Sequence, residues 1–420
     1  MPGALARSHG KVENLTSFCG EIAATTMKKQ VPVSQLRFGV YIHELDRPWT
    51  DTPFMFQGFV LNNERQLEAL KKYCKMVVID TEKGSDAIDR PNPFAGAVSP
   101  PSVLTTIKEK VAYEEKEIFK AEVPVARRIQ AKADVAVKDI FGAIRAGKAL
   151  DAPRVRDAVT SMTDSIVRNP NAMLLLARMK EKDIHTHDRA LGVSVYMITF
   201  GRFLNLPREQ LDLLGMLGLL QDVGKMRLPE ELLNKTDTLS EAELDVCRSH
   251  VRHSVAILKE THGLPPDLPA LAGLHHERYD GSGYPAGLKG GQIGLYGGIA
   301  GVVDCFDALT SARPYGDALA PSEALNRLYR WRDSQFDGPL VEQFIQCIGI
   351  YSVGTIVELH SGEIGVVIAQ NPALRLLPRV MVVLDSSKQP LKPQRIIERT
   401  SIKRTLAKGS VPIDASEFFL

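Results

Sequence analysis

Residues 273–293 read GLHHERYDGSGYPAGLKGGQI. Two adjacent histidines, His275 and His276, are followed by a charged pair, Glu277 and Arg278, and then by a loop of turn-forming residues, Asp280 to Pro285. Adjacent side chains on a helix point about 100° apart. The pair can therefore share one site only near a helix end or beside two metals. Outward from this stretch, seven of the ten histidines fall between 185 and 276: His185, His187, His250, His253, His262, His275 and His276. Asp222, Asp280 and Asp304 interleave with them or follow. Histidine and aspartate without cysteine form the donor set of a hydrolytic Zn, Fe or Mn site rather than a structural zinc. Solvated or core histidines would give the same spacing, so residue type alone leaves both readings open.

The surrounding chain changes its hydrophobic period twice. From about 103 to 350, apolar residues recur at three- and four-residue spacing, which predicts helices, starting within SVLTTIKEKVAYEEKEIFKA. Breakers fall at Pro153, Pro170, Pro207, Pro229, 263–269 and the Gly-rich 281–298 segment. Before this region, VPVSQLRFGVYIHEL, FMFQGFVL and MVVID (76–80) read as short strands, with a helix at about 63–74. After it, YSVGTIVELHSGEIGVVIAQ and MVVLD (381–385) are β-branched and alternating. The expected organisation is a multidomain chain: a tail at 1–30, a small α+β domain at 31–83, a linker and leading helix at 84–124, an all-α domain at 125–350, and a small β domain with its tail at 351–420.

Composition narrows the setting. Lys plus Arg number 52 and Asp plus Glu 50, a net charge of +2, so no basic coat for nucleic acid or a membrane surface is expected. The five cysteines, Cys19, Cys74, Cys247, Cys305 and Cys347, lack CxxC spacing and read as free thiols of a reducing compartment. No basic-then-apolar leader is seen, and no apolar run reaches the roughly 18 residues of a membrane span. These features lead to the expectation of a cytoplasmic protein.

The 273–293 stretch closely resembles the signature of the HD-GYP family: HHER, then DGSGYP, then GL and G. The likeness continues into VVDCFDALTSARPY (302–315) and, upstream, LLQDVGKMRLPEELL (219–233). It spans about 183–345. LDRPWTDTPFMFQGF (45–59) resembles the domain of unknown function that precedes many HD-GYP domains. The resemblance implies an all-α HD-superfamily domain, with flanking α+β and β domains, that hydrolyses cyclic di-GMP with divalent ions (Fe, Mn or Zn), one or two per chain here. Such ions flank a scissile phosphate and neutralise its developing charge. It also implies a partner role for diguanylate cyclases with GGDEF domains at the GYP loop.

Carried over residue by residue, Asp222, His250, His275 and His276 match one metal's ligands. Asp304 matches the late aspartate of the other. Lys225 matches a lysine that faces a phosphate or leaving group, and Asp222 with Lys225 forms the implied catalytic pair. Arg278, Asp280, Gly283, Tyr284, Pro285 and Arg313 match ligand-contacting positions, with Glu277 and Arg278 also placed to hold the two histidines. The pattern breaks at two ligands. Gln221 replaces the dyad histidine, and Arg189 stands at a helical ligand position where a side chain that keeps its proton cannot ligate. His185, His187 and Gln221 are the candidate substitutes. A second cation after Arg313 is missing, with Gly316 and Asp317 in its place, and IGLYGGI (293–299) lacks the family's arginine. The expected function is a cyclic di-GMP phosphodiesterase with a degenerate first-metal site. The alternative is a weak or silent sensor or interaction module, in which Arg189 grips a phosphate without generating hydroxide.

Overall fold

A computed structural model describes residues 28–47, 52, 54, 58–61, 64–81, 102–179, 186–233, 235, 237–311, 318–371, 376–406 and 410–411, without the side chains of 65 and 186–188. Residues 1–27 of the expected tail, 84–101 of the expected linker, His185, the His187 side chain and Arg313 lie outside the described residues, whereas residues 28–30, also expected in the tail, open a strand. The chain divides into two compact units, Met1–Val98 and Ser99–Leu420.

In the first unit, β1 (Lys28–Pro32), β2 (Tyr41–Leu45), β3 (Phe59–Val60) and β4 (Met76–Asp80) form an antiparallel sheet in the order β1-β4-β2-β3. The alternation legible in the sequence sends Val31, Ile42, Val77 and Ile79 into one apolar core. The helix α1 (Glu64–Tyr73) adds Leu70 to it and ends on Lys71 and Lys72, which suit the negative end of its dipole. Gly58 adopts φ +77°, and a side chain there would run into the Tyr41 ring. The glycine inside this apolar run therefore marks a close approach.

The second unit carries twelve helices among the described residues. They are α2 (Phe119–Arg145), α3 (Ala152–Arg168), α4 (Pro170–Met179), α5 (Thr186–Phe203), α6 (Arg208–Leu220), α7 (Glu230–Leu233), α8 (Glu241–Arg248), α9 (His250–Glu260), α10 (Leu268–Ala272), α11 (Gly294–Thr310), α12 (Pro321–Arg330) and α13 (Gly338–Ile348). Side chains supply the caps: Asp151 accepts from the Arg154 amide, Ser240 and Glu243 form a capping box, and Asp337 accepts from the Leu340 amide. Helices α5, α6 and α11 form the interior. Gly218 lets α6 meet the Ser194 backbone of α5, and the Ser194 hydroxyl donates to the Gly215 carbonyl at 2.8 Å. The span Gly290–Thr310 has the length and mean hydropathy of a membrane helix, but Asp304 and Asp307 interrupt it, and 67% of its apolar window is buried inside the unit. Its glycines, expected to break structure, sit within α11 from Gly294 onward, and Gly297 packs directly on Leu274.

The helix expected from about 103 begins only at Phe119; Val103–Thr106 makes a single 3-10 turn and 107–118 runs without regular structure. The physical reason lies in its partners. The Val111 amide donates to the Asn205 carbonyl at 2.7 Å, the Lys116 amide to the Arg168 carbonyl at 3.0 Å, and the Tyr113 hydroxyl to the Leu206 carbonyl at 2.8 Å. The segment straps the helical unit, so its backbone is satisfied across the fold instead of along a helix.

Strands β5 (Ile356–Leu359), β6 (Ile364–Ala369), β7 (Arg379–Leu384), β8 (Pro390–Ile397) and β9 (Ile402–Leu406) form an antiparallel sheet ordered β8-β7-β6-β5-β9. The three central strands are the ones legible in the sequence. The two edges carry Pro390, Pro393 and many charges, the composition that blunts an edge against further pairing. Glu358 of β5 accepts from Lys403 at 3.0 Å and Arg404 at 2.7 Å on β9, and these hydrogen bonds hold its carboxyl down to about 2.

A buried carboxylate ties α2 to α3. Glu122, 1% exposed, accepts from Arg168 Nε at 2.9 Å, Arg168 Nη2 at 2.8 Å and the Ser165 hydroxyl at 2.7 Å. Glu122→Ala should destabilise the helical unit by about 2–3 kcal/mol, because it leaves a guanidinium and a hydroxyl without their acceptor. Urea denaturation of the full chain measures this, and a midpoint unchanged from wild type would show the cluster to be unimportant.

Candidate metal centre

Three segments bring the four donors together. Asp222 follows α6, just before a 3-10 turn at Val223–Arg227. His250 opens α9. His275 and His276 lie in the turn after α10, where the chain has left the helix, so adjacent side chains can converge. One ligand atom from each of Asp222, His250, His275 and His276 lies within 4.8 Å of all the others.

The backbone sets the ring nitrogens. His250 Nδ1 donates to the Cys247 carbonyl at 2.6 Å, and His275 Nδ1 donates to the Ala272 carbonyl at 2.9 Å. A carbonyl can only accept, so Nδ1 carries the proton, and in its neutral form each imidazole presents the lone pair of Nε2 inward. The two Nε2 atoms are 3.4 Å apart, and they lie 3.1 Å (His250) and 3.6 Å (His275) from Asp222 Oδ1. That oxygen is buried without a hydrogen-bond donor. Lone pairs facing one another at such distances, with no proton between them, make a cradle for a cation. A divalent metal therefore fits these four residues.

Neighbouring charge agrees with this. Burial pushes the Asp222 carboxyl up, but Lys225, with Nζ at 2.6 Å from Oδ2, holds it well below the usual carboxylate range. Burial holds the His276 imidazole far below the usual histidine range. His276 stacks on Tyr284, with ring centroids 4.7 Å apart, and the Arg248 guanidinium lies 5.5 Å from the centroid of the Tyr284 ring. Burial pushes the Tyr284 phenol up, so it stays protonated.

The other expected residues occupy the following places. Glu277, 3% exposed, accepts from the Ala286 and Leu288 amides at 2.7 and 2.9 Å and so pins the far side of the GYP loop to the histidine turn. Arg278 donates to the Glu277 carbonyl at 2.9 Å and the His275 carbonyl at 3.4 Å, with its guanidinium over the Phe336 ring. Asp280 accepts from the Ser282 amide and hydroxyl at 2.9 and 2.6 Å. Gly283 permits the loop to pass against the backbone of His276 and Arg278, where a Cβ would collide; Tyr284 and Pro285 follow it. Asp304 is outside the four-donor group. Its Oδ1 lies 3.4 Å from Arg189 Nη2, while Arg189 Nε donates to Asp307 Oδ2 at 3.0 Å. Gln221 is 1% exposed, and neither its amide oxygen nor its nitrogen has a partner among the described residues. Sequence reasoning missed Asp307, whose signal was its i+3 spacing from Asp304. It also missed Arg248 and the carbonyls of Cys247 and Ala272, which no residue type announces.

Comparison with known proteins agrees with this architecture. Residues 28–155 match a domain of unknown function, DUF3391, and residues 168–340 match the HD domain. A Pseudomonas aeruginosa protein named cyclic di-GMP phosphodiesterase is 35% identical over 375 residues, covering 89% of each chain. The cyclic di-GMP phosphodiesterase response regulator RpfG of Xanthomonas campestris is 40% identical over 144 residues, 34% of this chain and 38% of that one. A Vibrio cholerae protein named 3'3'-cGAMP-specific phosphodiesterase 1 is 36% identical over 155 residues, 37% of this chain and 36% of the other. With its histidine pair, its GYP loop and a relative matched along nearly its whole length, the chain belongs to the HD-GYP family of HD-domain proteins, preceded by a DUF3391 domain.

Proposed function

We propose that this chain is a metal-dependent phosphodiesterase acting on cyclic di-GMP. The observation that carries the reading is the convergence of three imidazoles and one carboxylate, two of the imidazoles turned inward by backbone carbonyls. The names of its relatives point to the cyclic dinucleotide. A bound divalent ion, Zn, Fe or Mn by donor type, would supply Lewis acidity and a water of lowered pKa. The residues of the chain do the rest. Asp222 and the histidines hold the ion. Lys225 keeps Asp222 charged and sets a positive charge beside the position of a phosphate oxygen. Tyr284 fixes the His276 ring by stacking. Glu277, Arg278 and Asp280 shape the loop that meets the ligand, and the exposed Asp280 and Ser282 are where a GGDEF partner would dock.

A second reading, a slow or silent cyclic di-GMP sensor, is favoured by Arg189, which occupies Asp304 with a cation unable to activate water. One experiment separates the two. Purified anaerobically and supplied with Mn2+ or Fe2+, the protein should convert cyclic di-GMP to linear dinucleotide or GMP, and a chelator should stop it. Binding without turnover would leave the sensor. Neither binding nor turnover with any divalent ion would sink both.

A further inference from the structure

The family resemblance implies another metal, that of the first-metal site, at the corner shared by Asp304 and positions 221 and 189, and the residues present do not fit one. Arg189 lies in the first turn of α5, which packs on α11. Asp304 and Asp307 are three residues apart on α11 and so share a face. The guanidinium bridges them, Nε to Asp307 Oδ2 at 3.0 Å and Nη2 to Asp304 Oδ1 at 3.4 Å, with the Asp307 side chain wholly buried. Asp222 also acts on this guanidinium electrostatically, which ties the corner to the four-donor group. The remaining position offers a carboxamide, a neutral and weak donor, and the Gln221 amide is buried with both its polar atoms unpartnered among the described residues. A cation already fills the acidic corner, and it is part of the chain.

We propose that Arg189 stands in for the metal of the first-metal site. Its guanidinium neutralises Asp304 and Asp307, and the chain holds a single divalent cation at Asp222, His250, His275 and His276. Asp304 is then the partner of Arg189 and not a metal ligand. This rests on the reading of those four residues as a metal centre, but not on turnover. A metal at this corner would have to displace a guanidinium held by two carboxylates, whereas the four-donor cradle requires no displacement.

The test is metal stoichiometry, by elemental analysis of the full-length protein loaded with Mn2+ and desalted. The wild type should hold about one ion per chain. Asp304→Asn should still hold one, because the ion does not use that carboxylate. Arg189→His combined with Gln221→His should rise to about two, since the doubled imidazoles restore donors and remove the resident charge. Two ions in the wild type, or loss of the ion in Asp304→Asn that remains folded by circular dichroism, would overturn the inference and leave the proposed hydrolysis standing. One ion without turnover would sink the hydrolysis and leave this inference standing. No ion in the wild type would overturn both. Should the double variant fail to fold, the wild-type and Asp304→Asn counts decide by themselves.

Discussion

Gly224→Ala is expected to empty the metal centre and to destabilise the helical unit by about 3 kcal/mol or more, the upper end for overpacking a close-fitted contact. Gly224 sits two residues after Asp222, in the 3-10 turn that crosses α9. A Cβ there would collide with the His250 carbonyl oxygen and the Ser254 amide, both backbone atoms, and would come 2.8 Å from the His253 Cβ. Backbone cannot rotate out of the way as a flexible side chain can. The turn and the helix must separate, and the Gly224 amide would lose its bond to the Ser254 hydroxyl, now 2.8 Å. The same displacement pulls Asp222 from His250, whose Oδ1–Nε2 distance is 3.1 Å. A shift of about 1 Å in such a constellation costs roughly 100-fold in rate. The measurement is paired: metal content with turnover, and a urea midpoint. Gly142→Ala is the control. Gly142 is interior to α2 with open space around it, so alanine there should be neutral or stabilising by up to about 1 kcal/mol. Equal behaviour of the two variants would show that the contact at Gly224 is not what holds the site together.

His276→Ala is expected to lower metal affinity at least ~100-fold while leaving the fold in place. Loss of a group that merely supports a ligand typically costs about 10–100-fold, and loss of a ligand costs more. His276 is one of four donors, and its ring is only partly buried against Tyr284, so alanine removes the donor without opening a deep cavity. Equilibrium dialysis against Mn2+ measures the affinity, and circular dichroism checks the fold. A folded His276→Ala protein that keeps its ion as tightly as wild type would remove His276 from the centre.

Much of the centre was legible because its residues come in short, chemically distinctive runs. The adjacent histidines of 275–276, the glycine-punctuated loop after them and the aspartate at 222 can be read without knowing where they meet. The helical period of 125–350 and the alternation of the central strands could be read because burial of one face leaves a repeating mark in one dimension. That mark fades where partners lie elsewhere. The 107–118 strap has apolar residues at helical spacing, yet its amides bond to Asn205 and Arg168. The edge strands β8 and β9 carry charges and prolines because they face solvent on a free edge, so they lack the pattern of the strands they flank.

By itself the sequence determined the fold class, and its resemblance singled out the four residues that converge and the glutamine and arginine at 221 and 189. Only the tertiary structure decided what those residues face. It set Arg189 between two carboxylates 115 and 118 residues away. It turned two imidazoles inward with carbonyls that every residue possesses. It also pressed Gly224 against the backbone of a helix that begins 26 residues later, leaving no room for a Cβ. The physical reason is common to all three. Charge pairing, tautomer choice and backbone close approach depend on distances in space, and a residue's type states what it can do but not what it will face.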